Sequence, residues 1–209
     1  MLQYITNTDS KVSVIEQAFA VIEGGCRWIQ VRMKDASDEE ISKVIEAIKP
    51  KCIETQTFLI LNDRVELAKT LNVGGVHLGK EDYPVSKARM ILGAAAVIGV
   101  TAHSIEDVLA VSSLDIDYYG IGPFRETHTK KNHDSVLGIE GIRKICFEME
   151  EKQIEIPRVA VGGIKSDDIL SLLEAGVNGI AVSGAIAFAE DLVKETKKFI
   201  DLLPKTPGD

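Results

Sequence analysis

Short apolar runs rich in β-branched residues alternate with longer amphipathic runs along the whole chain. The short runs predict eight strands, namely Leu2–Thr6, Trp28–Arg32, Thr57–Leu61, Gly75–Leu78, Val97–Val100, Tyr118–Ile121, Arg158–Val161 and Gly179–Val182. In the longer runs apolar residues recur at helical spacing, as Val14, Ala18 and Ile22 do. These runs predict helices over Val12–Glu23, Glu39–Lys49, Val65–Leu71, Val85–Leu92, Ile105–Val111, Ile139–Glu150, Ser166–Glu174 and Ala185–Leu203.

The regular alternation of strand and helix predicts an α/β fold with parallel strands joined by right-handed crossovers. Eight such units in 209 residues fit a single (β/α)8 barrel over residues 1–203, with a flexible C-terminal tail over 204–209. A doubly wound open sheet is the alternative, but no G-x-G-x-x-G segment follows the first strand. In a barrel, the functional groups are expected on the loops that follow the strands.

Composition narrows the class of partner. Hydrophobic residues at 45% and charged residues at 27% are typical of a globular protein with a large core. A net charge of −8 argues against binding to nucleic acid or to an anionic membrane. No apolar run is long enough to span a bilayer, and no secretory signal is visible at the N-terminus. We therefore expect a cytoplasmic protein that acts on small molecules, with a local cluster of cations for any anionic substrate.

The loop after the sixth predicted strand has the residue types of an anion site. Gly120 and Gly122 allow the backbone to approach a ligand closely, and Thr127, Thr129 and Lys130 offer donors to phosphate oxygens. A polar connector with solvated lysines would show the same pattern, so both interpretations stay open at this point.

Polar side chains alternate at the end of the second strand. In an extended segment Gln30, Arg32 and Lys34 point to one side. Because both faces of a parallel strand are normally covered, an amide and two cations there indicate a polar or anionic partner rather than an exposed edge.

The third, fourth and fifth strands end in groups suited to a metal and a substrate phosphate. Asp63 and Asp82 could each be a helix N-cap, but two carboxylates at the same end of adjacent strands suit Mg²⁺. Asn62 and Thr101 lie at the same rim, whereas His77 is either a packing residue or part of a pocket wall.

Small residues follow the seventh and eighth strands. Gly162 and Gly163 precede one predicted helix, and Ser183 and Gly184 precede another. Adjacent loops of this kind are the usual phosphate-binding arrangement of these barrels, although a glycine pair alone could be a tight turn.

In their order and spacing these segments resemble the thiamine phosphate synthase family over nearly the whole chain. The carriers are residues 30–34, 62–64, 75–82, 99–104, 117–131, 161–164 and 179–186. The resemblance implies a barrel that joins an aminopyrimidine methyl diphosphate to a hydroxyethylthiazole phosphate and releases diphosphate. It also implies a dissociative, Mg²⁺-assisted reaction that needs no general base.

The resemblance assigns a role to each candidate residue. Arg32, Lys34 and Lys130 are catalytic cations on the diphosphate, and Asp63 with Asp82 holds Mg²⁺. Substrate binding falls to Gln30, Asn62, His77, Thr101, Thr127, Thr129, Gly162, Gly163, Ser183 and Gly184. Residues 125–134 are the expected lid.

Three departures from the family pattern and two rival functions remain. Lys80 stands where glutamine is usual, Ser183-Gly184 replaces a Val-Ser pair, and the first strand receives no role. A thiazole tautomerase relative would use His103 for proton transfer, and a non-catalytic regulator would only bind a thiamine precursor. A homo-oligomer stays open, because outer helices of such barrels often pair.

Overall fold

The computed structural model describes residues 1–126 and 136–204. Within them, parallel strands pair in chain order and β1 also pairs with β8, so that the sheet closes into a barrel. The strands are β1 (Leu2–Ile5), β2 (Trp28–Val31), β3 (Phe58–Asn62), β4 (Gly75–Leu78), β5 (Val97–Ala102), β6 (Tyr118–Ile121), β7 (Arg158–Val161) and β8 (Gly179–Val182). The predicted (β/α)8 barrel is confirmed, and the open-sheet alternative is wrong.

Helices cover the outside of the barrel. They are α1 (Val14–Glu23), α2 (Asp38–Glu54), α3 (Val65–Thr70), α4 (Val85–Leu92), α5 (Ile105–Val111), α6 (Gly138–Glu151), α7 (Ile169–Glu174), α8 (Gly184–Ala187) and α9 (Leu192–Asp201), with a 3₁₀ turn over Ser166–Asp168. Among the described residues no helix has the length and apolarity needed to cross a membrane.

Side chains along each strand point alternately outward and inward, so the barrel has two separate hydrophobic cores. Outward-facing side chains such as Tyr4, Ile29 and Ile98 are fully buried beneath the helices. Trp28, Ile60 and Tyr118 belong to a second cluster that fills the lower barrel interior. The interior therefore has an apolar floor, above which polar side chains are brought together.

Most helix boundaries lie within two residues of the predictions, and two differences are larger. The run predicted as one helix over Ala185–Leu203 is divided into α8 and α9, because the Asp191 carboxylate accepts a hydrogen bond from the Lys194 amide at 2.9 Å and starts a new helix. Helix α2 continues through Pro50 to Glu54, beyond the predicted end at Lys49. Burial of Ile48 and Cys52 on either side of Pro50 offsets the lost backbone hydrogen bond.

Candidate active site

Strand β2 delivers its polar side chains to the mouth of the barrel. Gln30 is buried inside the barrel, and Arg32 follows on the same side, half-buried. The Arg32 amide donates to Thr6 Oγ1 at 2.9 Å, which attaches this strand end to the segment after β1. Burial lowers the pKa of Arg32, while the nearby Asp63 carboxylate raises it. Arg32 is thus a partly desolvated cation that faces a carboxylate.

Asp63 and Asp82 form a carboxyl pair at the ends of β3 and β4. Neither caps a helix: the N-caps of α3 and α4 are Arg64 and Pro84. Asp63 has a left-handed backbone with a φ of 66° and donates its amide to the His77 carbonyl at 2.9 Å. An uncommon backbone conformation of this kind in a non-glycine residue is typical of functional sites. The Asp82 carboxylate accepts from the Gly79 amide at 2.7 Å.

The two carboxyl groups influence each other strongly. Burial, followed by a hydrogen bond to Asp82, raises the pKa of Asp63 to about 7. Burial alone would also raise the pKa of Asp82, but hydrogen bonds from Asp63 and Gly79 hold it below its ordinary value. Two carboxyl groups held this close together can bind a cation between them.

The residues around this pair fit Mg²⁺. Arg32 and Lys34 each lie close enough to act electrostatically on both carboxylates. In the part of the chain that the structure describes, no group of three or more His, Cys, Asp or Glu side chains surrounds a metal position. Mg²⁺ suits such a sparse site, because it commonly binds one or two carboxylates and completes its shell with water and substrate phosphate.

His77 and Thr101 meet inside the barrel. His77 Nε2 lies 2.9 Å from Thr101 Oγ1, and His77 Nδ1 lies 2.8 Å from the Tyr118 hydroxyl. Asn62 and His77 are register partners on β3 and β4. His77 is therefore hydrogen-bonded at both ring nitrogens, in contact with one predicted site residue and next to another.

Sequence reasoning missed Gln3 and Tyr118, which belong to the same interior layer. Gln3 Nε2 donates to the Tyr118 hydroxyl at 3.1 Å, and Gln30 Nε2 donates to Gln3 Oε1 at 3.2 Å. The signal was available in principle, because strand alternation places Gln3 on the opposite side from the outward-facing Tyr4.

The loops after β7 and β8 enclose a cavity of about 320 Å³. Its lining brings together Gly162, Gly163, Ser183 and Gly184, which the sequence groups as one phosphate site. Arg32, which the family resemblance assigns to the diphosphate, also lines it. Residues lining it that the sequence reasoning did not select include Ile5, Pro123, Ile164, Lys165, Ala181 and Phe188. The cavity combines apolar walls with backbone groups and a cation at its edge, which suits a small apolar ring that bears an anionic group.

Glycine is required at the β7 loop. Gly162 and Gly163 have φ values of 103° and 66°, a backbone conformation that is strained for any residue with a side chain. A Cβ on Gly162 would also lie 2.8 Å from Pro123 Cα. The chain after β6 thus lies directly against the β7 loop, and the Arg125 amide donates to the Gly162 carbonyl at 3.0 Å.

The predicted anion loop is only partly described. Thr127, Thr129 and Lys130, and most of the expected lid over 125–134, lie outside the described residues. Arg125 itself forms a two-pronged ion pair with Asp168 and lies over the Phe124 ring at 4.4 Å. This contact attaches the beginning of the loop to the end of the 3₁₀ turn that follows β7.

The structure also places Lys80 and Ser183, which depart from the family pattern, and His103, the proton-transfer candidate of the tautomerase alternative. Lys80 forms an ion pair with Asp107 at 2.9 Å, so its charge is compensated on the α5 side. Ser183 accepts a hydrogen bond from Asn7 Nδ2 at 3.2 Å while lining the cavity. His103 Nδ1 contacts the Gly122 carbonyl, and its amide donates to Asp107 at 2.9 Å.

Fold and site together define a class: a (β/α)8 barrel whose charged and hydrogen-bonding groups collect at the C-terminal ends of the strands, where enzymes of this fold carry their active sites. Comparison with known proteins makes this more specific. A sequence model of the thiamine monophosphate synthase family matches residues 2–186. The chain belongs to this family. It is therefore an enzyme, and its class is that of a transferase.

Individual relatives agree with this assignment. A thiamine-phosphate synthase of Bacteroides fragilis is 52% identical over 201 residues, which cover 96% of this chain and 98% of the relative. A thiamine-phosphate synthase of Methanosarcina mazei is 33% identical, covering 95% of this chain and 80% of the relative. The solved structure of thiamine phosphate pyrophosphorylase from Pyrococcus furiosus is 33% identical and superposes with a TM-score of 0.84, covering 96% of this chain and 94% of that one.

Proposed function

We propose that this enzyme forms thiamine phosphate from an aminopyrimidine methyl diphosphate and a hydroxyethylthiazole phosphate. The observation that carries the proposal is that two potential anion sites share Arg32. Arg32 lines the glycine-rich cavity after β7 and β8, and it also interacts electrostatically with the Asp63–Asp82 carboxyl pair. The names of the relatives support the same activity.

Asp63 and Asp82 would hold Mg²⁺ in this proposal. The bound cation would neutralise negative charge on the diphosphate of the substrate. The proximity of the two carboxyl groups supports this role, because a divalent cation bound between them would offset the burial and the carboxyl–carboxyl repulsion that raise the pKa of Asp63.

The side chains of β2 and β3 would hold the diphosphate. Arg32 and Lys34 present fixed cations beside the carboxyl pair, and Lys130 joins them on the strength of the sequence resemblance. Asn62 and Thr101 add an amide and a hydroxyl at the same rim. Such donors stabilise the charge that develops as the leaving group departs, without reorganisation during the reaction.

The proposed reaction requires no general base. The bond between the pyrimidine methylene carbon and the diphosphate oxygen breaks, and its electron pair leaves on the diphosphate. The thiazole nitrogen then donates its lone pair to the methylene carbon. Because no proton is transferred, the protein needs only to bind, orient and exclude water.

The glycine-lined cavity would orient the second substrate. Backbone groups at Gly162, Gly163, Ser183 and Gly184 would contact the thiazole phosphate, with Thr127 and Thr129 as further donors from the loop after β6. Gln30 would hydrogen-bond the aminopyrimidine inside the barrel, where only 1% of its surface is exposed.

A direct assay tests the proposal. Purified protein is incubated with both substrates and Mg²⁺, and the product is oxidised to a fluorescent thiochrome. We expect fluorescence that requires both substrates and disappears with EDTA. Absence of product from folded protein would contradict the proposal. Isomerisation of the thiazole phosphate alone would then identify a tautomerase, and binding without turnover would identify a regulator.

A further inference from the structure

Five side chains from separate strands form one continuous row of hydrogen bonds across the barrel interior. The row runs from β2 through β1, β6 and β4 to β5, and its members are Gln30, Gln3, Tyr118, His77 and Thr101. We call it the interior relay. Gln3 and Tyr118, which have no role in the proposed reaction, connect its two halves. Both are at most 3% exposed.

One direction satisfies the buried polar atoms of the relay. Gln30 donates to Gln3, and Gln3 donates to the Tyr118 hydroxyl. The buried phenol proton of Tyr118 then needs an acceptor, and within the row that acceptor is His77 Nδ1, 2.8 Å away. An acceptor at Nδ1 requires the proton of a neutral imidazole to be on Nε2, from which it is donated to Thr101 Oγ1 at 2.9 Å. Burial raises the pKa of Tyr118, so the phenol retains the proton that the relay needs.

The direction decides what each end offers to a ligand. At the β5 end, Thr101 accepts from His77 and keeps its own proton for an anionic oxygen. At the β2 end, the Gln30 carbonyl remains an acceptor, suited to an amino group that becomes electron-poor. In the reverse direction, Thr101 would donate to His77 and would present only lone pairs to the diphosphate.

The barrel makes room for this row at two glycines. A Cβ on Gly99 of β5 would lie 2.1 Å from Tyr118 Cζ, and one on Gly120 of β6 would lie 2.8 Å from His77 Cε1. These positions are inside strands, where glycine weakens the sheet and needs a packing reason. The close approach of the Tyr118 and His77 rings is that reason.

We propose that Gln3 and Tyr118 are positioning residues that hold His77 in its Nε2–H tautomer and thereby present the Thr101 hydroxyl as a donor to the departing diphosphate. The His77 tautomer is a property of the substrate-free protein. The role of the Thr101 hydroxyl rests on the proposed function, so the tautomer and the role of Thr101 are tested by separate measurements.

The tautomer is measured first, by nitrogen NMR of the full chain labelled with ¹⁵N in histidine, without substrate, at about pH 8, where an ordinary imidazole is neutral. A His77→Gln variant identifies the His77 signals. We expect a protonated Nε2 and an unprotonated Nδ1 in the native protein, and a changed tautomer balance in Tyr118→Phe. A native His77 protonated at Nδ1 would overturn the proposal, whatever the enzyme catalyses.

The kinetic measurement compares two neighbouring tyrosines. Tyr118→Phe removes the relay hydroxyl and keeps the ring that packs edge-on against Trp28 at 4.8 Å. Tyr119→Phe is the matched control, because Tyr119 is equally buried but points outward and donates to the Val108 carbonyl at 3.0 Å. We expect kcat with the aminopyrimidine diphosphate to fall about tenfold or more in Tyr118→Phe, with a smaller change in KM, and Tyr119→Phe to retain native turnover.

The outcomes are distinguishable. If the native protein makes no product, the proposed function fails, and the NMR result still decides whether Gln3 and Tyr118 hold His77 in its Nε2–H tautomer. If both phenylalanine variants turn over equally well, the relay does not position Thr101. If Tyr118→Phe does not fold, the native tautomer and a Gln3→Met variant provide the test. Gln3→Met removes the donor that orients the Tyr118 hydroxyl, so a changed tautomer balance and the same fall in kcat are expected.

Discussion

The two sides of the barrel mouth present different chemical groups. On the β2–β5 side, long charged side chains and a carboxyl pair converge, with a raised pKa at Asp63 and a strained backbone at the same residue. On the β7–β8 side, glycines with positive φ and a serine line a mainly apolar cavity. In the proposed function, the diphosphate and its metal would be held mainly by charged side chains, whereas the phosphate on the other side would contact backbone groups, with Arg32 and Lys165 at the cavity wall.

Removing the carboxyl pair should have the largest effect on turnover, and this effect should be confined to the β2–β5 side. In Asp63→Asn with Asp82→Asn, we expect Mg²⁺-dependent turnover to fall about 10³-fold or more, while thiazole phosphate binding is retained. Turnover is measured by the thiochrome assay and binding by calorimetry.

Glu81→Gln is the control, since it removes an exposed carboxylate next to Asp82. An equal loss in that variant would attribute the effect to general electrostatics rather than to a metal site.

Adding a side chain in the β7 loop should weaken substrate binding on the β7–β8 side. In Gly162→Ala, the added Cβ meets Pro123 at 2.8 Å and the residue keeps a φ of 103°. We expect KM for the thiazole phosphate to rise about tenfold, with the free energy of unfolding lowered by about 1–3 kcal/mol.

Gly93→Ala separates backbone strain from loss of the cavity, because Gly93 also has a positive φ, 85°, but a Cβ there meets nothing within 4 Å. A similar rise in KM in Gly93→Ala would contradict the assignment of the cavity.

The pH dependence of stability should come from the carboxyl-pair side. The pKa of Asp63 is raised from an ordinary 3.8 to about 7, so the metal-free folded state holds this proton more tightly than the unfolded state. Between these two values, the contribution of Asp63 to stability falls as pH rises. We expect Mg²⁺ to raise Tm little at about pH 5 and more at about pH 8, and Asp63→Asn to abolish this trend. A Tm increase independent of pH would contradict the assignment of Asp63 as a ligand.

Lys80→Gln should have the smallest effect. Lys80 already pairs with Asp107 at 2.9 Å and is largely exposed, so its charge has little influence on the metal ligands. We expect the apparent Mg²⁺ affinity from the turnover assay to stay within about twofold of the native value. A larger improvement would show that Lys80 repels the metal and is not compensated.

Much of the candidate site could be predicted because parallel strands impose an order. Once Arg32, Asp63 and Asp82 were placed after successive strands, closure of the barrel brought them to one rim, and the structure shows their mutual electrostatic influence. The boundary errors had local causes: Asp191 starts a helix inside an apolar run, and Pro50 is tolerated inside α2.

Other features could not be predicted from local patterns. Gln3 looked like an ordinary polar residue in a first strand, and its partner Tyr118 is 115 positions away. Whether a strand glycine is a weak point or a space for a distant ring depends on the strand beside it, as with Gly99 and Tyr118. The pairing of Lys80 with Asp107 likewise depends on the position of α5.

The periodicity of the chain was sufficient for the barrel, its strand order and the end at which its polar groups collect, because these follow from repeated short-range preferences and from closure. The interior relay, the pairing of the Asp63 and Asp82 carboxyl groups and the contact between the β6 and β7 loops could be seen only in the folded structure. Each depends on contacts between residues far apart in sequence, whose distance and direction are set only when all eight strands pack around one axis.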